Sequence, residues 1–135
     1  MIELTEAMFS TGKPIAQGEV LIWMKKHAPK EVLAKIGDGF EELKLENGQM
    51  ILGHSETGHH HVLEPVNKTV PISKAVTALI ANATDMWMDL KLFEPCALIH
   101  QRGFDTHKGF ILPAGEYIRG IREEQTPKGW RRVAD

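Results

Sequence analysis

The chain has 135 residues, one cysteine, and 16 Lys plus Arg against 18 Asp plus Glu. That length fits one domain with its own core. Lone Cys96 excludes an internal disulfide and a Cys-rich zinc knuckle, and the balanced charge argues against nucleic acid or an acidic membrane as partner.

Residues 1–14 carry the turn-rich Ser10-Thr11-Gly12-Lys13-Pro14 and read as an N-terminal arm or loose edge. Residues 15–135 then form a single β-rich domain. Gly18-Glu19-Val20-Leu21-Ile22-Trp23-Met24 is a continuous apolar run opened by a glycine, which suits a buried strand. Pro29 sits well at the start of one or two helical turns reaching Lys35, and Gly37-Asp38-Gly39 breaks the chain. Asn47-Gly48 is the preferred dipeptide of a two-residue hairpin turn, with a strand expected at Met50 to Leu52. Thr57-Gly58 makes a second reversal or bulge that leads into His59 to Leu63, so the histidine run is expected to be extended.

After the polar link Pro65 to Pro71, Ala75 to Ala81 has helix-favouring alanine but also Val, Thr and Ile. In the next run Met86, Met88, Leu90 and Leu92 alternate with Trp87, Asp89 and Lys91. Alternation by two is a strand signal, and the two runs are read as a hairpin around 82–85. A short apolar strand starts at Pro95 and ends at His100, and 101–108 is a polar loop. Phe110 to Ile118 reads as strand, tight Pro113-Ala114-Gly115 turn and strand. Segments Tyr117 to Arg122 and Trp130 to Val133 are expected to pair around Thr126 to Gly129. Many short, turn-punctuated strands predict an all-β protein, a small single-domain barrel or sandwich with one short helix. No stretch approaches the ~20 apolar residues of a membrane span, and Met1 to Glu6 lacks the pattern of a signal peptide.

Four of the seven histidines, His54, His59, His60 and His61, fall within eight residues. In a strand alternate side chains share a face, so His59 and His61 project together while His60 points away. Two imidazoles on one face can ligate one metal ion or touch one anionic ligand, with His100 and His107 as the further suppliers; the alternative is a polar strand that binds nothing. Cys96 lies in the apolar run Cys96-Ala97-Leu98-Ile99, where a free thiol behaves as a small hydrophobe. A nucleophilic role for it lacks any neighbour that would lower its pKa.

Three segments together resemble a family of small, mostly uncharacterised proteins encoded in tailed-phage genomes and bacterial mobile elements. They are Gly18-Glu19-Val20-Leu21-Ile22, Thr57-Gly58-His59-His60-His61, and the tail from His107 through Leu112-Pro113-Ala114-Gly115-Glu116-Tyr117 to Arg131-Arg132-Val133-Ala134-Asp135. The resemblance puts His59 and His61 at the family's His-x-His places and His107 at the last place of its later histidine pair. Where the family carries the first histidine of that pair this chain has Phe104, and His100 lies four residues further upstream as the substitute. A weaker resemblance is to cupins, with His59, His61, Glu64 and His107 as counterparts. Glu64 follows His61 too closely for that pattern, and His107 precedes the Pro113-Ala114-Gly115 turn instead of following it.

The expected chemistry is a divalent metal site built on His59, His61, His107 and His100. Zinc is the expected ion because it is content with imidazoles and water, whereas iron(II) or manganese more often takes a carboxylate. Water, Glu64, Glu56 or His100 would complete the site. A closed site is structural, and an open one acidifies water, but no general base, phosphate loop or serine nucleophile is identifiable. Any enzymatic activity would be metal-dependent. Arg119, Arg122, Lys128, Arg131 and Arg132 with Trp130 and Tyr117 form the one basic and aromatic concentration, diluted by Glu116, Glu123 and Glu124; a solvated strand pair or an assembly contact is the expected reading. The second functional expectation is a virion component such as a capsid decoration or assembly protein. The expected partners are further copies of the chain or a phage assembly, and the expected location is the cytoplasm of a bacterial host or the virion.

Overall fold

The computed structural model describes all residues except 38, 39, 44, 46, 47, 55–59, 82–85, 101–108, 127, 128 and 133–135; at 40, 124–126 and 129–132 only the backbone is described. The chain opens with β1 (Ile2–Glu3), α1 (Glu6–Phe9), β2 (Ile15–Gln17), β3 (Val20–Met24), α2 (Lys30–Leu33), β4 (Phe40–Glu42) and β5 (Met50–Gly53). Next come β6 (His61–Pro65), α3 (Ile72–Ala75), β7 (Val76–Ala81), β8 (Trp87–Leu92) and β9 (Cys96–His100). It closes with β10 (Phe110–Leu112), β11 (Gly115–Ile121), β12 (Glu123–Thr126) and β13 (Gly129–Arg132).

The strands assemble into a sandwich and not a closed barrel. One sheet has the order β1-β10-β9-β6-β5, the other β2-β3-β11-β8-β7-β4, and β12-β13 form a separate ribbon. The pairing is antiparallel except for β1 against β10. Alternating residues of the facing sheets fill the space between them, as the period-two pattern requires. Met50, Leu52, Leu63, Cys96, Leu98 and Leu112 from the first sheet meet Val20, Ile22, Met24, Ala78, Met88, Leu90, Tyr117 and Ile121 from the second.

The expected hairpin at β7 and β8 is present, with Ala78 opposite Leu90 and Ile80 opposite Met88. Elsewhere local turn chemistry does not decide the partner. Pro113-Ala114 joins β10 and β11 as the sequence suggests, but the strands lie in different sheets, so the turn is a crossover and not a hairpin. The Tyr117 hydroxyl donates to the Pro113 carbonyl at 2.6 Å and ties that crossover down. The flanks of Asn47-Gly48 also part company: β4 pairs with β7 and β5 with β6, while Asn47 itself lies outside the described residues. The C-terminal ribbon pairs Glu123–Thr126 with Gly129–Arg132, leaving β11 to the main sheet.

The first fourteen residues, read as an arm or loose edge, supply the edge strand β1 and two core side chains. Leu4 and Phe9 are buried, and the Phe9 ring meets Tyr117 edge-on with centroids 5.8 Å apart. On the outer face of the six-stranded sheet, Gly120 lies under two indoles. A Cβ there would fall 2.8 Å from Trp87 and 2.9 Å from Trp23. No helix among the described residues is long and apolar enough to cross a membrane.

Candidate functional site

The interior of the sandwich is apolar except for Gln17, Glu19, His61, His100 and Arg119, each no more than 6% exposed among the described residues. Strand alternation explains why four of them point inward, while Glu19 lies in the turn between β2 and β3. Gln17 shares a face of β2 with Ile15, which packs against the core; His61 shares one with Leu63, and His100 with Leu98 and Cys96. Arg119 lies between the core residues Tyr117 and Ile121. Polar groups buried this deeply need internal partners, because desolvation without a hydrogen bond costs more than a typical bond contributes.

His61 opens β6, His100 closes β9, and the two are direct partners in the ladder. Their ring centroids lie 4.5 Å apart with the planes inclined by 31°. Gln17 reaches the pair from the opposite sheet. Its amide Nε2 donates to the Leu98 carbonyl at 3.2 Å, and its Oε1 lies 2.8 Å from His61 Nδ1. Gly53, opposite His61 across β5 and β6, leaves the space this imidazole needs. A Cβ at Gly53 would sit 2.7 Å from Val20 Cγ2, 3.2 Å from His61 Cδ2 and 3.4 Å from a Glu19 carboxylate oxygen. Glu19 therefore borders the same end of the interior.

Of the four histidines expected to converge, the structure brings together His61 and His100, whereas His59 and His107 lie outside the described residues. The described strand begins at His61, and the expected shared face of His59 and His61 falls outside the described residues. His60 precedes it, half-buried, with its ring edge-on to His54 at a centroid separation of 4.9 Å. His27 Nε2 lies 3.0 Å from Glu6. Glu64, considered as a completing ligand, is on the other face of β6 from His61, half-exposed and paired with Lys68 at 3.0 Å. Alternation along the strand removes it from the site. Glu56 lies outside the described residues. Among the described residues no group of three or more His, Cys, Asp or Glu side chains is placed to hold a metal ion.

The basic and aromatic concentration dissolves in part on folding. Arg119 and Tyr117 are fully buried and cannot grip an external phosphate, while Arg122 is exposed. Cys96 is buried as expected. Burial, with a smaller push from Glu94, raises its thiol from 9.0 to about 12, which leaves it protonated and inert. A groove of about 470 Å³ runs between the N-terminal segment and the β10–β11 crossover, lined by Leu4, Glu6, Met24, Lys26 and Pro113 among others. Its size does not make it the chemical centre. The Glu6 carboxyl there is held below its usual range by the Lys26 hydrogen bond and by His27, so its charge is already matched.

Sequence reading missed Gln17 and Glu19. Their signal was there: two polar residues flank Gly18 at the mouth of an apolar run, and Gln17 shares the period-two face of Ile15. What period two does not reveal is which other strand that face will meet. No protein-family model, curated protein or solved structure matches the chain.

Proposed function

We propose that this protein binds a divalent metal ion at the end of its sandwich where β6 begins and β9 ends. His61 and His100 supply two imidazoles, and His59 and His107, on the segments directly continuous with those strands, supply the others. The observation that carries this reading is the buried cross-strand His61–His100 pair, with centroids 4.5 Å apart. An ion held by both imidazoles would lie ~2.0–2.1 Å from one nitrogen of each ring. Burial of both rings favours a closed, structural ion that clamps the two histidine-bearing segments over an open hydrolytic one. The motif resemblance supports a phage or mobile-element origin for this metal-binding β-protein.

The test is elemental analysis of untagged protein, followed by zinc titration of the stripped chain watched by calorimetry. The expected result is near one equivalent of zinc per chain, lost in the His61→Ala, His100→Ala double variant. A folded wild-type chain that carries no metal and takes up none overturns the proposal, and the virion-component reading then replaces it.

A further inference from the structure

We infer that Gln17 is a positioning residue that locks neutral His61 with its proton on Nδ1 and so makes Nε2 its ligating atom. The role in ligation rests on the metal-binding reading above; the tautomer does not. The inference follows from a chain of two hydrogen bonds whose direction is set at one end. A backbone carbonyl is an acceptor only, so the Leu98 oxygen 3.2 Å away must face the Gln17 NH₂ group. Turning the amide over would set two oxygens against each other. With Nε2 of Gln17 committed to Leu98, its Oε1 is the atom 2.8 Å from His61 Nδ1. That oxygen is itself an acceptor only, so the imidazole nitrogen facing it must carry the hydrogen.

In a neutral ring the other nitrogen then holds the lone pair. His61 Nε2 is bonded to Cδ2, the ring atom that packs against Gly53 near Val20 and Glu19. The imidazole thus turns its basic edge away from Gln17. Metal-ligating histidines nearly always donate their second ring N–H to a carbonyl or carboxylate, which fixes the tautomer and strengthens the ligand. Gln17 belongs to one sheet and both of its partners to the other, so the residue that orients the ring also links the two layers.

The test uses the full chain labelled with ¹⁵N-histidine, read by long-range proton–nitrogen correlation in the metal-free form at about pH 8, with His61 identified by the signal missing in His61→Phe. The expected wild-type pattern is a protonated Nδ1 and a bare Nε2, and it needs no Gln17 variant to be read. Gln17→Leu, which removes both the donor to Leu98 and the acceptor for His61, should release the lock and give a mixed or reversed tautomer. Cadmium-113 added to the wild type should couple to Nε2 and not to Nδ1. Zinc affinity should fall by about 10- to 100-fold in Gln17→Leu. Protonated Nε2 in the metal-free wild type, or cadmium coupling to Nδ1, overturns the inference. A locked Nδ1–H tautomer in a chain that binds neither cadmium nor zinc upholds the tautomer and overturns the metal-binding reading alone.

Discussion

Gly53 and His61 face each other across β5 and β6, and the imidazole edge of His61 occupies the volume beside Gly53 that a side chain would need. A methyl group at Gly53 would lie 2.7 Å from Val20 Cγ2, closer than packed carbon atoms tolerate. Gly53→Ala is therefore expected to destabilise the fold by about 1–3 kcal/mol, the usual cost of overpacking, measured as a lower urea midpoint. Val20→Ala in the same chain should recover part of the loss, because it removes the nearest clashing atoms. A strictly additive pair would show that the crowding is relieved elsewhere.

Metal removal is the second measurement. An ion bound only by the folded state adds RT ln(1 + [L]/Kd), about 2.7 kcal/mol at a hundredfold excess over Kd, which is several degrees of Tm for a domain of this size. Chelator is expected to lower Tm, and His59→Ala with His61→Ala to abolish most of that sensitivity. Imidazoles ligate in the neutral form, so acidification from about pH 8 to about pH 5 should remove the same increment. Superimposable melting curves with and without chelator, for protein that elemental analysis shows to carry metal, would contradict the prediction.

Alkaline stability follows from Cys96 and Tyr117. The buried thiol is pushed from 9.0 to about 12, and burial raises the Tyr117 hydroxyl as well. Between those two thiol values the unfolded chain has released a proton that the folded chain still holds, so stability falls as pH rises through the window. Urea midpoints should decline from pH 9 upward, less steeply in Cys96→Ala. Near pH 8 a thiol-specific reagent should leave the native chain unlabelled and modify Cys96 only on unfolding. Labelling of the folded protein at the rate of free cysteine would count against this.

Arg119 and Glu19 are the one guanidinium and the one carboxylate buried among the described residues. Removing a charge buried this deeply strands whatever groups neutralise it inside the sandwich, a change that typically costs about 3–5 kcal/mol. Arg119→Met and Glu19→Gln are each expected to be strongly destabilising, and the double variant less so than their sum. The coupling is read from a double-mutant cycle in urea. Additive losses would mean that the two charges are neutralised by different groups.

Chain-local features were legible in the sequence because they are properties of a few neighbouring residues. Alternation in Met86 to Leu92 identified β8 and its hairpin with β7, the apolar setting of Cys96 gave its burial, and Gly and Pro punctuation gave a β-rich chain. The histidine pattern drew attention to His61 and His100 as members of one converging group, but not to their direct pairing across the ladder. Only the tertiary structure decided that Pro113-Ala114 crosses between sheets and that Gln17 stands over His61. Gln17 is 44 residues from His61 and 81 from the Leu98 carbonyl. Period two says that a residue faces inward, but contacts at such separations depend on which strands share a sheet and in what register, and that is fixed by the packing of the whole core.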